Sequence, residues 1–197
     1  MTLLSRQNIL HGLNRLDAVA RAEGILVDLA VYGGAALALA FDLRMATKDV
    51  DAVVRGKPEF LRRAVKQIAD EEGWPEDWLN DGVKGFLSAN EELFLLREFP
   101  GTDGGLRVYV PSAEYIFAMK CMAMRPEGMN GSQDICDIQV LASIVGISCS
   151  EDAFRIIEKF YPSNRIPPKV KFGVEEILER RQKENDNVDT IKPPSKS

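Results

Sequence analysis

Between Ile25 and Phe41 the chain is largely apolar, and its main interruption is a pair of glycines, Gly33-Gly34. The two flanks differ in kind. Ile25 to Tyr32 is short and rich in β-branched and apolar residues, as a buried strand is. Ala35 to Phe41 is built mainly of alanine and leucine, which are strong helix formers. Paired glycines between them end the strand and let the backbone turn tightly into the helix. A strand feeding directly into a helix points to a sheet with helices packed on it. Asp28 and the glycines also leave the stretch too broken to cross a membrane.

The remaining elements are read around that junction. Ile9, Leu13, Leu16, Val19 and Ala20 recur at helical spacing between Ser5, a suitable N-cap, and Gly24, a suitable stop; Gly12 is the weak position inside. Asp49 to Val54 reads as a second strand. Pro58 opens a helix to about Glu72 that closes at Gly73. Trp74 to Lys84 is expected to form a short helix and turn, with Asp77 to Asp81 either a capped turn or the lining of a cleft. Leu93–Phe99 and Leu106–Val110 flank the turn-rich Pro100–Gly105 and read as a hairpin. After Pro111 the pattern turns helical: Ser112 to about Met124, Ser132 to Val145, Ser150 to Phe160, and Pro167 to about Lys183. The segment after Glu184 is polar and without apolar periodicity, and is expected to be disordered. The prediction is an α+β fold. A small mixed sheet of about four to five strands with flanking helices occupies residues 1–110. A helical part, 111–183, packs on that core, and a tail covers 184–197.

Composition narrows the function classes. Hydrophobic residues make up 45% of the chain, enough for a real core. The net charge of −5 argues against a broad basic surface for gripping nucleic acid and leaves Arg62, Arg63, Lys66 and Lys84 as one local basic patch. Cys121, Cys136 and Cys149 form no CxxC pair, and His11 is the single histidine, so neither a disulfide framework nor a structural zinc site is expected. The N-terminus lacks a basic segment followed by a sustained apolar run, and a cytoplasmic protein is expected.

Two features carry chemistry. At a strand–helix junction, Gly33 and Gly34 let the backbone approach a phosphate closely, while the helix N-terminus offers N–H donors and a favourable dipole. Asp49-Val50-Asp51 on a strand puts two carboxylates on one face and Val50 on the other. Carboxylates so placed repel each other unless a cation sits between them, and Mg²⁺ held by one or two carboxylates plus phosphate oxygens is the usual arrangement in nucleotidyl transfer.

Tyr32-Gly33-Gly34-Ala35-Ala36-Leu37 followed by Arg44-Met45-Ala46-Thr47-Lys48-Asp49-Val50-Asp51 resembles the glycine-pair and D-h-D signature of the DNA polymerase β-like nucleotidyltransferase superfamily. Within it, the chain is similar to uncharacterised and toxin-like bacterial branches related to the AbiEii abortive-infection enzymes. Lys120 to Arg125, followed by Asp134-Ile135-Cys136-Asp137, matches their lysine-bearing helix and D-x-x-D helix. One extra residue separates Arg44 from Thr47. The resemblance covers roughly residues 25 to 147 and implies a set of roles. Gly33 and Gly34 would contact the β- and γ-phosphates, with Arg44 and Thr47 also in the nucleotide site. Asp49 and Asp51 would hold Mg²⁺ or Mn²⁺. Lys120 would reach the triphosphate, and Asp134 and Asp137 would orient Lys120 or Arg125, or contact the acceptor.

The implied activity is transfer of a nucleoside monophosphate from an NTP to a hydroxyl on RNA, tRNA ends included, or on protein. The implied setting is a toxin–antitoxin or phage-defence pair with a cognate antitoxin as partner. One departure stands out. Superfamily members that transfer nucleotides usually carry a third carboxylate on a later strand. Here the strand candidates offer only Glu98 and, in the connecting turn, Asp103, with Arg107 where an acid would be sought. Three readings follow from this: a single ion suffices, Asp81 or Asp137 serves instead, or the protein binds nucleotide without transferring it.

Overall fold

In the computed structural model, which describes residues 3–99, 104–124 and 133–190, a two-residue strand β1 (Leu4–Ser5) leads into helix α1 (Arg6–Ala22). Ser5 caps α1. Its Oγ accepts the Asn8 N–H at 3.2 Å, and Asn8 Oδ1 accepts the Ser5 N–H at 3.0 Å, so two donors at the helix start are satisfied reciprocally. Ile9, Leu13, Leu16 and Ala20 form the buried stripe read from the spacing. Next come β2 (Leu26–Val31), α2 (Gly33–Ala40), β3 (Ala46–Thr47), β4 (Val50–Arg55) and α3 (Pro58–Glu72). Then β5 (Leu79–Asn80), a 3-10 turn at Gly82–Phe86, β6 (Leu93–Glu98) and β7 (Gly105–Pro111) follow. Helices α4 (Ala113–Ala123), α5 (Gln133–Val145), α6 (Ser150–Phe160) and α7 (Pro168–Thr190) complete the described chain.

The main sheet is mixed, with strand order β5-β4-β2-β7-β6. The central strand β2 runs antiparallel to β4 and parallel to β7, while β5 lies parallel to β4 and β6 antiparallel to β7. Val27, Leu29, Ala30 and Val31 of β2 are all buried, as the interior position of a near-continuous apolar strand requires. The fold is α+β, as expected. The β6–β7 hairpin forms, and its turn residues 100–103 lie outside the described residues, as do Arg125 and Ser132.

Several elements depart from the sequence reading. Trp74 to Lys84 holds a strand, β5, as well as the 3-10 turn. Trp78 is fully buried and its Nε1 donates to the Val65 carbonyl at 3.1 Å. That anchor brings the Trp78 carbonyl to the Val50 N–H at 2.7 Å, and Leu79 into register with Val50. A second small sheet pairs β1 with β3, Leu4 opposite Thr47. Two-residue strands carry no periodicity, so tertiary pairing alone defines them. Finally, α7 runs to Thr190, beyond the end expected at Lys183. Extending a formed helix costs far less than starting one, so lost apolar spacing does not by itself stop it.

The chain divides into two compact units, Met1–Leu87 with Glu91–Ser112, and Ser88–Asn90 with Ala113–Ser197. In the first, α1 lies against α3 and β7. In the second, α4 packs against α5, α6 and α7. The Tyr115 and Phe160 rings stack there at 4.8 Å. Ser88 joins the helical unit by donating its hydroxyl to the Phe160 carbonyl and its N–H to Tyr115 Oη.

Candidate active site

The sheet unit builds its site around the end of β2. Val31 is followed by Tyr32, whose N–H donates to the Asp51 carbonyl at 2.8 Å and so ties the end of β2 to β4. At Gly33 φ is +58°, a left-handed conformation that costs other residues energy, and α2 begins there. The N-cap, Tyr32, supplies no capping side-chain bond; its hydroxyl donates instead to Glu91 at 2.6 Å. The start of α2 is therefore formed by glycine backbone with no cap side chain laid over it.

What surrounds those glycines is the main geometric finding. A Cβ on Gly33 would lie 2.8 Å from Asp51 Oδ2. A Cβ on Gly34 would lie 2.6 Å from Arg44 Nη1 and 2.7 Å from Thr47 Oγ1. Gly33, Gly34, Arg44, Thr47 and Asp51 thus converge on one point. Thr47 is buried and held by the β1–β3 pair, and Arg44 and Asp51 are half-buried.

Asp49 lies one residue ahead of β4, which starts at Val50 and not at Asp49 as the sequence suggested. Val50 is fully buried. Asp49 is held from the edge strand: Asn80 Nδ2 donates to Asp49 Oδ2 at 3.0 Å. Asn80 sits directly opposite Asp51 in the parallel β4–β5 register. It is the site residue that sequence reading passed over, its only signal being its place in the Asp77–Asp81 segment. That segment is also a turn, since Asn80 Oδ1 accepts the Gly82 N–H at 2.9 Å.

Asp49 and Asp51 offer hard carboxylate oxygens, the chemistry suited to Mg²⁺ or Mn²⁺. Among the described residues, no group of three or more His, Cys, Asp or Glu side chains is disposed to hold a metal by itself. An ion at Asp49 and Asp51 would complete its shell with phosphate oxygens and water, which Mg²⁺ favours. The missing side chains at Gly33 and Gly34 are what let Asp51, Arg44 and Thr47 come this close to the start of α2.

Lys120, Asp134 and Asp137 come together in the helical unit. Lys120 Nζ on α4 lies 2.7 Å from Asp134 Oδ1 and 2.9 Å from Asp137 Oδ2, both on α5. The lysine and Asp137 are largely buried and Asp134 is half-buried. Asp137 is therefore engaged by a lysine, and so is Asp81, whose carboxylate Lys84 holds below its ordinary pKa by hydrogen bonding. Arg107 pairs with Asp28 through two bonds, at 2.6 and 2.8 Å, across the β2–β7 register.

The local basic patch is neutralised. Arg62, Lys66 and Lys84 line a cavity of about 400 Å³ in the sheet unit, but they pair with Glu59, Glu76 and Asp81. Arg63 pairs with Glu23 at 2.6 Å. Cys121 is buried, which pushes its thiol pKa up and makes it a poor nucleophile. Among the described residues, no helix is long and apolar enough to cross a membrane.

No curated protein and no solved structure matches the chain. A family described as nucleotidyltransferases of unknown function (DUF6036) matches residues 11–154, a span that takes in the glycine pair, both aspartates, Asn80 and the Lys120 cluster. By that match the chain belongs to the DUF6036 nucleotidyltransferase family.

Proposed function

We propose that the protein transfers a nucleoside monophosphate from an NTP to a hydroxyl group, with Gly33-Gly34 as the triphosphate cradle and Asp49 and Asp51 as ligands for Mg²⁺ or Mn²⁺. The observation that carries this reading is the convergence of Asp51, Arg44 and Thr47 on the uncapped glycine start of α2. The N–H groups there and the Arg44 guanidinium are suited to the β- and γ-phosphate oxygens. Thr47 contributes a short hydroxyl donor. Asp49 and Asp51 would hold the divalent ion, whose chemistry is to neutralise charge on the α-phosphate and the leaving pyrophosphate. The acceptor hydroxyl oxygen then bonds to the α-phosphorus, the bond to the bridging oxygen breaks, pyrophosphate leaves, and the hydroxyl proton passes to water.

RNA, tRNA ends included, is the acceptor class we favour, with protein as the other. The net charge and the paired cations suit recognition of a short end over a long duplex. The toxin-like resemblance adds a cognate antitoxin as partner. A second reading, a module that binds nucleotide without transferring it, is favoured by one observation. Asp81 and Asp137, the spare acids, are each engaged by a lysine.

The deciding experiment offers each α-³²P-labelled NTP, with Mg²⁺ or Mn²⁺, to total bacterial RNA and protein. Label that appears with one nucleotide and vanishes in Asp49→Ala/Asp51→Ala establishes transfer and identifies donor and acceptor. Nucleotide binding that needs both aspartates, without label, supports the second reading. Absence of both label and binding overturns the site. Inducing the wild type and the double variant in a bacterial host checks the toxin setting, which requires growth arrest with the wild type alone.

A further inference from the structure

Asn80 does more than close a turn. Its partners determine which way round the amide lies. The Gly82 N–H, 2.9 Å away, can only donate, so the amide oxygen faces it. The Asp77 carbonyl at 3.3 Å and the Asp49 carboxylate at 3.0 Å can only accept, so the NH₂ faces them. A donor is thereby fixed against Asp49 Oδ2. The parallel register meanwhile sets Asn80 opposite Asp51, the second carboxylate. This one neutral side chain therefore reaches one carboxylate directly and neighbours the other through the strand.

We propose that Asn80 is the positioning residue of the metal site: it holds Asp49 by one oxygen, so that the other is presented to a divalent ion beside Asp51. The inference rests on the reading of Asp49 and Asp51 as metal ligands. A hydrogen bond to a ligating carboxylate restricts its rotation and improves its affinity for the ion. The amide has a second consequence. An acid of the same shape at position 80 would place a third negative charge about 3 Å from Asp49, whereas asparagine keeps the fixed charge at two carboxylates and provides a donor.

The test is calorimetric titration of the full-length chain with Mn²⁺ alone, without nucleotide, comparing wild type, Asn80→Ala, Asn80→Asp, Asp49→Asn and Asp51→Asn. Asn80→Ala is expected to weaken Mn²⁺ binding about tenfold, the lower end of what loss of an outer partner causes. Asn80→Asp is expected to tighten it about tenfold as ligand charge rises, while melting at lower temperature than wild type without metal. A damaged fold cannot produce that tightening, so the pair of variants remains informative if Asn80→Ala folds poorly. Unchanged Mn²⁺ affinity in both Asn80 variants, alongside loss in Asp49→Asn and Asp51→Asn, overturns the role of Asn80 and leaves the metal site standing. Absence of Mn²⁺ binding to the wild type overturns both.

Discussion

Adding one methyl group to each glycine of the pair should separate scaffold from site. In Gly33→Ala the left-handed backbone costs about 1–2 kcal/mol, and the stiffer unfolded chain returns about 0.4–1 kcal/mol. Asp51 Oδ2, 2.8 Å from the new Cβ, is the end of a short side chain. Rotating it away costs about 0.5–1.5 kcal/mol. The net loss of stability is about 1–2 kcal/mol. Gly34→Ala has the opposite balance. Position 34 is helical, and alanine there gains about 1 kcal/mol of helix propensity. Its Cβ, however, would sit 2.6 Å from Arg44 Nη1 and 2.7 Å from Thr47 Oγ1. The long arginine can move. Thr47, buried and paired with Leu4, cannot move as easily. Overpacking of this kind costs about 1–3 kcal/mol, so the net change is a loss of about 1 kcal/mol.

Stability therefore changes little in either variant, but the arginine is displaced and the proposed phosphate contacts are lost. Loss of a charge-assisted bond costs about 1.5–3 kcal/mol, so nucleotide affinity should fall roughly 10- to 100-fold. Urea unfolding measures the first quantity. Titration with a fluorescent NTP analogue in Mn²⁺ measures the second. Gly34→Ala that stays folded and binds nucleotide as tightly as wild type would refute the cradle. A stability loss well above 3 kcal/mol in that variant would mean that the glycines serve packing.

Lys120→Ala removes the cation 2.9 Å from the buried Asp137 carboxylate and should destabilise the protein by on the order of 3 kcal/mol. A Lys120→Ala/Asp137→Asn double variant should lose clearly less than the sum of the single changes; additive losses in urea unfolding would mean that the pair is not coupled. Gly12→Ala should destabilise by about 1–2 kcal/mol, despite gaining helix propensity, because the Cβ would meet the Trp78 ring at 2.7 Å; an unchanged or higher melting temperature contradicts that contact. Glu72, Asp81 and Asp152 are held below their ordinary pKa values, chiefly by hydrogen bonds from His11, Lys84 and Ser148. A lowered folded pKa stabilises at pH above the unfolded value and is lost as pH falls through the lowered one. The urea midpoint should accordingly hold between pH 7 and about 5 and fall below about 4; a midpoint that rises on acidification contradicts this.

The reading from sequence succeeded where local chemistry and periodicity agree. Ser5 begins α1 because its hydroxyl and Asn8 satisfy each other across one turn. Helix α3 spans Pro58–Glu72 because Pro58 opens it and Gly73, at φ +67°, closes it. The apolar run of β2 signalled a buried strand, and the strand order places it at the centre of the sheet. Gly33, Gly34 and Asp51 could be named in advance because glycine pairs and acid pairs stand next to each other along the chain. That they meet is a property of the β2–β4 pairing.

Asn80 was hidden for a reason that generalises. It lies on a two-residue edge strand that exists because Trp78, thirteen residues from the Val65 carbonyl it bonds, is buried beneath α1 at Gly12. No local pattern encodes that anchor. Once Trp78 is fixed, its carbonyl takes the Val50 N–H, β5 falls into register with β4, and residue 80 lies opposite Asp51. The orientation of the Asn80 amide then follows from the adjacent turn, because the Gly82 N–H takes the oxygen and leaves the NH₂ for Asp49. A buried tryptophan and a tight turn thus set the geometry around Asp49 from residues outside any motif. Gly12→Ala, which presses on Trp78, should on this argument also weaken Mn²⁺ binding at Asp49 with no site residue altered.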